Sequence, residues 1–267
     1  MQQIKACLRG FKSDTHGLLR WATEFGRLDQ ESNVLEVCVD TIDGAIAAMD
    51  GGAGRVELCS SLSEGGLTPS AGLMRAAAAL PVPCYAMIRP RSGLFEFSEA
   101  EAKVMLADIA MVHEAGLAGV VLGAQGEDGG LNVPLLRQMI AAASGLGTTL
   151  HRVIDVVPAP LIALGQAIDL GFDRVLTSGA EPFAQDGVTL IEQMVALAAG
   201  RVSIMPGCGL TADNVAAVMA ATGVQEVHTA CSVRVPGDAA FSDFDPPGGR
   251  YETSERLVRA MVKQIPG

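Results

Sequence analysis

Residues 34–60 read VLEVCVDTIDGAIAAMDGGAGRVELCS, and the order of their parts decides the fold. Two short runs rich in β-branched residues, VLEVCVD from Val34 and RVELCS from Arg55, flank an Ala- and Met-rich stretch that closes on Gly51 and Gly52. Strand, helix and strand in that order place the two strands parallel, because the helix carries the chain back to the same end of the sheet. The rhythm repeats outward from there. Further strand-like runs are VPCYAMIRP from Val82, AGVVLG from Ala118, TTLHRVID from Thr148, DRVLTSG from Asp173, RVSIMPG from Arg201 and QEVHTAC from Gln225. Counted together, these strand–helix units number eight, which predicts an α/β fold of the (β/α)8 TIM-barrel type over residues 34–267. An open doubly wound sheet is the competing architecture, but no GxGxxG follows the first strand.

Helix punctuation agrees with this reading. Thr68-Pro69 predicts a cap and a first-turn proline, Ser98 with Glu101 a capping box, Asn132 ahead of Pro134 a helix start, and Thr211 the start of ADNVAAVMAA. Gly116, Gly145, Gly171 and Gly223 stand where helices should stop, and a last helix is expected from about Glu252 to Gln264. Residues 1–33 fall outside the rhythm and are expected to be a poorly ordered N-terminal extension.

The chain has 267 residues, 49% of them hydrophobic and 18% charged, which suffices for a large core and argues against disorder. Its net charge of −11 argues against nucleic-acid partners and against docking on anionic lipid. No apolar run reaches the length of a membrane span, and no secretory signal is recognisable. The six cysteines include no CxxC pair, match no zinc ribbon or finger, and are read as reduced thiols in a cytoplasmic protein.

Strand alternation then sorts the side chains. With Leu35, Val37 and Val39 packed under helices, Glu36 and Cys38 point into the barrel; with Val56 and Leu58 outside, Glu57 and Cys59 point in. The same parity sends Tyr85, Met87 and Arg89 inward from the third strand, His151 and Asp155 from the fifth, and Glu226 and His228 from the eighth, and leaves Arg152 without a place. Barrel interiors are normally layers of Val, Ile and Leu, so these buried ionic groups must pair with one another or serve chemistry. Glu36, Glu57, Arg89, His151, Asp155 and His228 are therefore the candidate catalytic residues. An internal ion network, with Arg89 held between Glu36 and Glu57, is the structural alternative. Cys38 and Cys59 each follow an inward Glu by two residues on neighbouring strands, and two such thiols suit Cu(I). Zinc is disfavoured because it needs two more ligands. Two small buried hydrophobes are the plainer reading of the pair.

Three loops after the later strands carry glycines and hydroxyls: Thr177-Ser178-Gly179-Ala180, Met205-Pro206-Gly207-Cys208-Gly209 and Thr229-Ala230-Cys231-Ser232. Barrels often bind anions there with backbone N–H groups, which makes Ser178, Gly179, Gly207 and Gly209 a candidate anion site; ordinary tight turns are the alternative. Arg89-Pro90-Arg91 opens a long loop that can hold a carboxylate or phosphate, and Ser60 to Pro69 reads as a lid with glycine hinges or simply as a long loop.

The combination of LEVCVDTIDGAIAAMDGGAGRVELCSSLSEGGLTPSAGLM from Leu35, MIRPRSG from Met87, TLHRVID from Thr149, LTSGAE from Leu176 and MPGCGLTADNV from Met205 resembles the CutC family of copper homeostasis proteins. The likeness runs from residue 34 to about 236. It implies a TIM barrel, a cytoplasmic location and a link to copper handling, with Cys38 and Cys59 matching the strand-end cysteines proposed in that family for Cu(I). Two functions are therefore expected in competition. One is Cu(I) binding by Cys38 and Cys59 in copper homeostasis. The other is acid–base chemistry of the lyase, aldolase or epimerase kind on a small anionic or phosphorylated substrate, held by Arg89 and the Gly207–Gly209 loop, with His151 or Glu57 as acid/base. No Lys stands at a strand end, which disfavours a Schiff base. A scaffold with a purely structural polar core is the third possibility. Self-association into a homo-oligomer is expected.

Overall fold

A run of β-branched residues becomes an interior parallel strand only when both of its faces are covered. The computed structural model describes residues 33–236, 240 and 249–266. There eight such runs form β1 (Val34–Val39), β2 (Arg55–Leu58), β3 (Cys84–Met87), β4 (Gly119–Leu122), β5 (Gly147–Leu150), β6 (Arg174–Thr177), β7 (Ser203–Pro206) and β8 (Glu226–Thr229). They lie in one parallel sheet in the order β7-β6-β5-β4-β3-β2-β1-β8, and β7 runs beside β8, closing the ring. This is the (β/α)8 TIM barrel. Helices α1 (Ile42–Gly51), α2 (Ala71–Ala77), α3 (Glu99–Ala115), α4 (Val133–Ala142), α5 (Pro160–Leu170), α6 (Val188–Ala198), α7 (Val215–Thr222) and α8 (Glu255–Val262) surround it. Between β8 and α8 the chain also makes an antiparallel pair, β9 (Ser232–Val235) and β10 (Arg250–Thr253), a region whose sequence gives no strand signal. The expected extension, residues 1–33, lies outside the described residues except for Asn33.

The hydrophobic core is the sleeve between strands and helices. Val37, Val39, Val56, Leu58, Ile88, Val120, Leu122, Leu150, Val175 and Val227 are fully buried in it. Each such side chain contributes roughly 1.5–3 kcal/mol by leaving water. The helix ends follow the local chemistry. Ser98 and Glu101 form the complete capping box, Asn132 accepts from the Leu135 N–H, and Gly116, Gly171 and Gly223 take left-handed conformations that end their helices. Two starts differ from expectation. Ser70, not Thr68, caps α2, and Thr68 instead accepts from the Arg89 N–H; Asn214, not Thr211, stands at the cap of α7. The last helix is also shorter than predicted, because β10 takes Glu252 and Thr253. Among the described residues no helix is long and apolar enough to cross a membrane.

Register places the site. Cys38 stands level with Glu57 of β2, and Glu36 stands level with Arg55 on one side and His228 on the other. Cys59 lies two residues beyond Glu57, so the two thiols on neighbouring strands end at different heights, as the stagger of a closed barrel requires.

Candidate active site at the barrel mouth

The N-terminal end of the lumen is closed by an ionic layer. Arg55 donates from Nε to Glu36 and from Nη2 to Glu226, and Arg174 Nε donates to Glu226 Oε2 at 2.9 Å. The Tyr85 ring spreads beneath both cations, with their guanidinium carbons 5.5 and 5.2 Å from its centroid. Gly119 and Gly147 make the space. A Cβ on Gly119 would stand 2.3 Å from the Tyr85 ring, and one on Gly147 would stand 2.1 Å from its hydroxyl. Burial alone would raise the Glu36 carboxyl, but Arg55 and His228 outweigh it and hold the group well below the usual carboxylate range. The internal ion network is thus present, and its cation is Arg55 rather than Arg89.

One layer higher, toward the C-terminal ends of the strands, His228 links the ionic layer to the thiols. Its Nδ1 lies 2.8 Å from Glu36 Oε1 and its Nε2 lies 3.8 Å from Glu57 Oε2. Burial disfavours the imidazolium, yet Cys38 and Glu57 beside it hold the ring protonated well above its ordinary range. Glu57 is 3% exposed, and burial pushes its carboxyl up to about 7 against the pull of His228. Ligand-type atoms of Cys38, Glu57 and His228 all lie within 4.8 Å of one another. Cys59 faces its own strand instead: its Sγ is 3.6 Å from Glu57 Oε2, and burial followed by the Glu57 charge lifts its thiol well above the usual range. Above the triad a cavity of about 400 Å³ is lined by Cys38, His228, Cys208, Gly209 and Cys231, among others. Burial likewise raises Cys208 and Cys231, the latter to about 11. All five described cysteines are free thiols.

Arg89 and His151 make a separate group. Arg89 follows β3 and turns its head away from Glu36 and Glu57. Its Nη1 donates to the Glu64 and Gly66 carbonyls at 2.9 and 3.2 Å, its Nη2 to the Gly93 carbonyl at 3.0 Å, and its guanidinium lies over the Phe95 ring. The same ring stacks on His151 with centroids 4.7 Å apart. His151 follows β5 and caps a 3-10 turn (Arg152–Asp155), its Nδ1 accepting from the Val153 N–H at 3.1 Å. In the neutral ring the proton therefore sits on Nε2. Burial, then the Arg89 charge, pushes His151 down to about 3, so at neutral pH the ring is neutral and its Nε2–H meets no acceptor in the protein. Gly123 leaves room for the ring, since a Cβ there would stand 2.4 Å from His151 Cε1.

Asp155 departs most from expectation. It belongs to the 3-10 turn, not to a strand, and its carboxylate reaches sideways into the loop after β6. There it accepts from the Ser178 N–H at 2.9 Å, the Ala180 N–H at 3.2 Å and the Thr177 hydroxyl, while Arg152 Nε donates to it at 2.8 Å. The Gly179 N–H donates to Thr177 Oγ1 and the Gly207 N–H to the Thr177 carbonyl, both at 2.9 Å. The backbone donors expected to cradle an external anion at Ser178, Gly179 and Gly207 are thus engaged by the chain itself, and Gly209 borders the thiol cavity instead. Arg152, unplaced by alternation, is the cation of this nest. Sequence reasoning missed the inward cations Arg55 and Arg174, although Arg55 shares its parity with Glu57. It also missed Cys208 and Cys231 as neighbours of Cys38, because loops carry no alternation.

Comparison with known proteins agrees with the barrel fold. The sequence profile of the CutC family matches residues 33–233. The CutC family protein of Rhizobium meliloti (strain 1021) is 51% identical over 234 residues, covering 86% of this chain and 95% of that protein. The one from Caulobacter vibrioides (strain NA1000 / CB15N) is 46% identical over 237 residues, covering 87% and 96%. The solved structure of CutC from Streptococcus agalactiae superposes with a TM-score of 0.71 at 30% identity, covering 74% of this chain and 98% of that one. A closed barrel, two inward Glu-x-Cys strand ends and a profile match across the barrel have one common reading: the chain belongs to the CutC family.

Proposed function

We propose that this protein binds Cu(I) at the C-terminal mouth of the barrel as part of copper homeostasis in the cytoplasm. Cys38 anchors the ion, Cys59 supplies a second sulfur from the neighbouring strand, and a nitrogen of His228 completes the set. One observation carries this reading: sulfur, imidazole and carboxylate donors of Cys38, His228 and Glu57 converge within 4.8 Å on side chains that no apolar core requires. Thiolate and imidazole suit a soft monovalent ion, whereas the hard Glu57 carboxylate is better placed to take the proton that a thiol gives up. Further support comes from Cys208 and Cys231 in the same cavity and from the name of the Streptococcus agalactiae relative, which associates that protein with copper homeostasis. Because burial keeps Cys59 protonated and the neighbours of His228 keep its ring protonated in the free protein, Cu(I) must displace a proton from each, and affinity rises with pH. Competition for Cu(I) against a chromophoric chelator tests the reading. Cys38→Ser is expected to weaken binding strongly and Cys59→Ser to weaken it less; a folded double variant that competes as well as the wild type overturns it.

A second reading is acid–base turnover of a small anionic substrate. It is favoured by the Glu57 carboxyl, raised to about 7 beside a protonated His228, which is the pairing a general acid/base needs near neutrality. A metabolite that raises the melting temperature and is consumed by the wild type but not by Glu57→Gln supports it. Consumption unchanged in that variant rejects Glu57 as the base.

A further inference from the structure

We propose that Arg89 and His151 form a binding site for a small organic carboxylate, beneath the loop of residues 60–68. Arg89 is 6% exposed and His151 3%, so both are buried polar side chains. Arg89 Nε and His151 Nε2 are nevertheless the two buried side-chain nitrogens, among the described residues, that no protein acceptor reaches. Each such orphan donor costs about 1–3 kcal/mol if nothing meets it, so two around a single aromatic ring are not incidental. Phe95 is their common neighbour, with the Arg89 guanidinium carbon 5.0 Å from its ring centroid and the His151 ring tilted against it at 4.7 Å. Both are also held in place by the backbone. Three of the five N–H groups of Arg89 go to the Glu64, Gly66 and Gly93 carbonyls, and His151 Nδ1 is spent on the Val153 N–H, so Arg89 Nε and His151 Nε2 are left as the nitrogens without an acceptor. A pair of fixed donors, one of them on a cation, is complementary to oxygen acceptors with negative charge.

Charge selects the class of anion. Arg89 brings one positive charge, and His151 stays neutral, its ring held down to about 3. One charge matches a carboxylate, whereas a phosphate dianion would face an uncompensated second charge. The Ser178, Gly179, Ala180 and Gly207 N–H groups, in loops where barrels hold phosphate, are also committed within the chain. Entry requires the loop of residues 60–68 to lift, and Gly65 and Gly66, both with positive φ, sit where Arg89 fastens it. The inference deepens the small-anion reading given above. Its readouts are binding readouts, so an absence of turnover leaves it standing, and it is independent of Cu(I) at Cys38.

The test uses the ¹⁵N-labelled full chain at pH 7, titrated with pyruvate, with lactate and with inorganic phosphate. Pyruvate or lactate at millimolar concentration is expected to move the Arg89 Nε–H and His151 Nε2–H resonances together and to raise the melting temperature. His151→Phe keeps the ring on Phe95 but removes the donor, and should weaken binding about tenfold or more. His151→Gln restores a donor and should recover most of the affinity. The proposal is overturned if neither carboxylate moves the two resonances in the wild type. It is also overturned if folded His151→Phe binds as tightly as the wild type, or if phosphate binds more tightly than both carboxylates. Should His151→Phe fail to fold, the wild-type titration alone decides.

Discussion

Replacing Arg55 by Met should destabilise the barrel by about 3 kcal/mol. The magnitude follows from what the cation leaves behind. Arg55 is 5% exposed and bridges Glu36 and Glu226, so its removal strands two carboxylates in a buried layer. Breaking a buried ion pair on one side typically costs about 3–5 kcal/mol. The low end applies here because each carboxylate keeps a second partner: Glu226 retains Arg174 at 2.9 Å and Glu36 retains His228 at 2.8 Å. Methionine fills most of the volume, which keeps the cavity contribution small. In a domain of this size about 3 kcal/mol corresponds to a fall in melting temperature of roughly 6–12 °C. Thermal and urea unfolding followed by circular dichroism at pH 7 would measure it. Adding Glu36→Gln to Arg55→Met should recover part of the loss, because an amide carries no buried charge. If Arg55→Met melts within about 2 °C of the wild type, the ionic layer does not hold the lumen together as argued.

The pH profile of stability should be unusual. Glu57 is raised from 4.5 to about 7 in the folded state, so its contribution is complete below pH 4.5 and lost as pH rises through 7. Glu36 and Glu226 are lowered by their arginines despite burial, so theirs is present above the ordinary carboxylate range and lost in acid. Urea midpoints should therefore fall in acid, and the wild type should lose stability relative to Glu57→Gln between pH 4.5 and about 7; a difference between the two that stays constant across that window contradicts the assignment of Glu57. Asp155→Asn should cost about 1–3 kcal/mol and expose the Ser178 and Ala180 amides to faster hydrogen exchange, since both donate to that carboxylate. Unchanged protection there would show that the nest does not depend on Asp155. Gly119→Ala should cost about 1–3 kcal/mol by driving a methyl into the Tyr85 ring, and a variant as stable as the wild type would mean that the ring is free to move.

The fold was legible because its signals are periodic. Alternation fixes Glu36 and Glu57 inside, and parallel strands joined by helices leave few closed arrangements. The lumen was legible in kind but not in partnership. Parity placed Glu36, Glu57 and His228 correctly, yet it could not say that Arg55 rather than Arg89 would meet Glu36, because that depends on where β3 ends. β3 stops at Met87, and past that point Arg89 belongs to the loops it fastens. His151 and Asp155 were extrapolated beyond the end of β5 in the same way, whereas the chain turns into a 3-10 helix there and swings Asp155 across to β6. Side chains in loops obey no period, which is why the proximity of Cys208 and Cys231 to Cys38 had no sequence signal.

The layer of Arg55, Glu226, Arg174 and Tyr85 has a consequence for traffic. All four belong to the opening residues of their strands, so among the described residues their side chains fill that end of the lumen. Under the copper-binding proposal, an ion that reaches Cys38 from the cavity above it leaves by that same side, and hand-over to another molecule takes place at the rim.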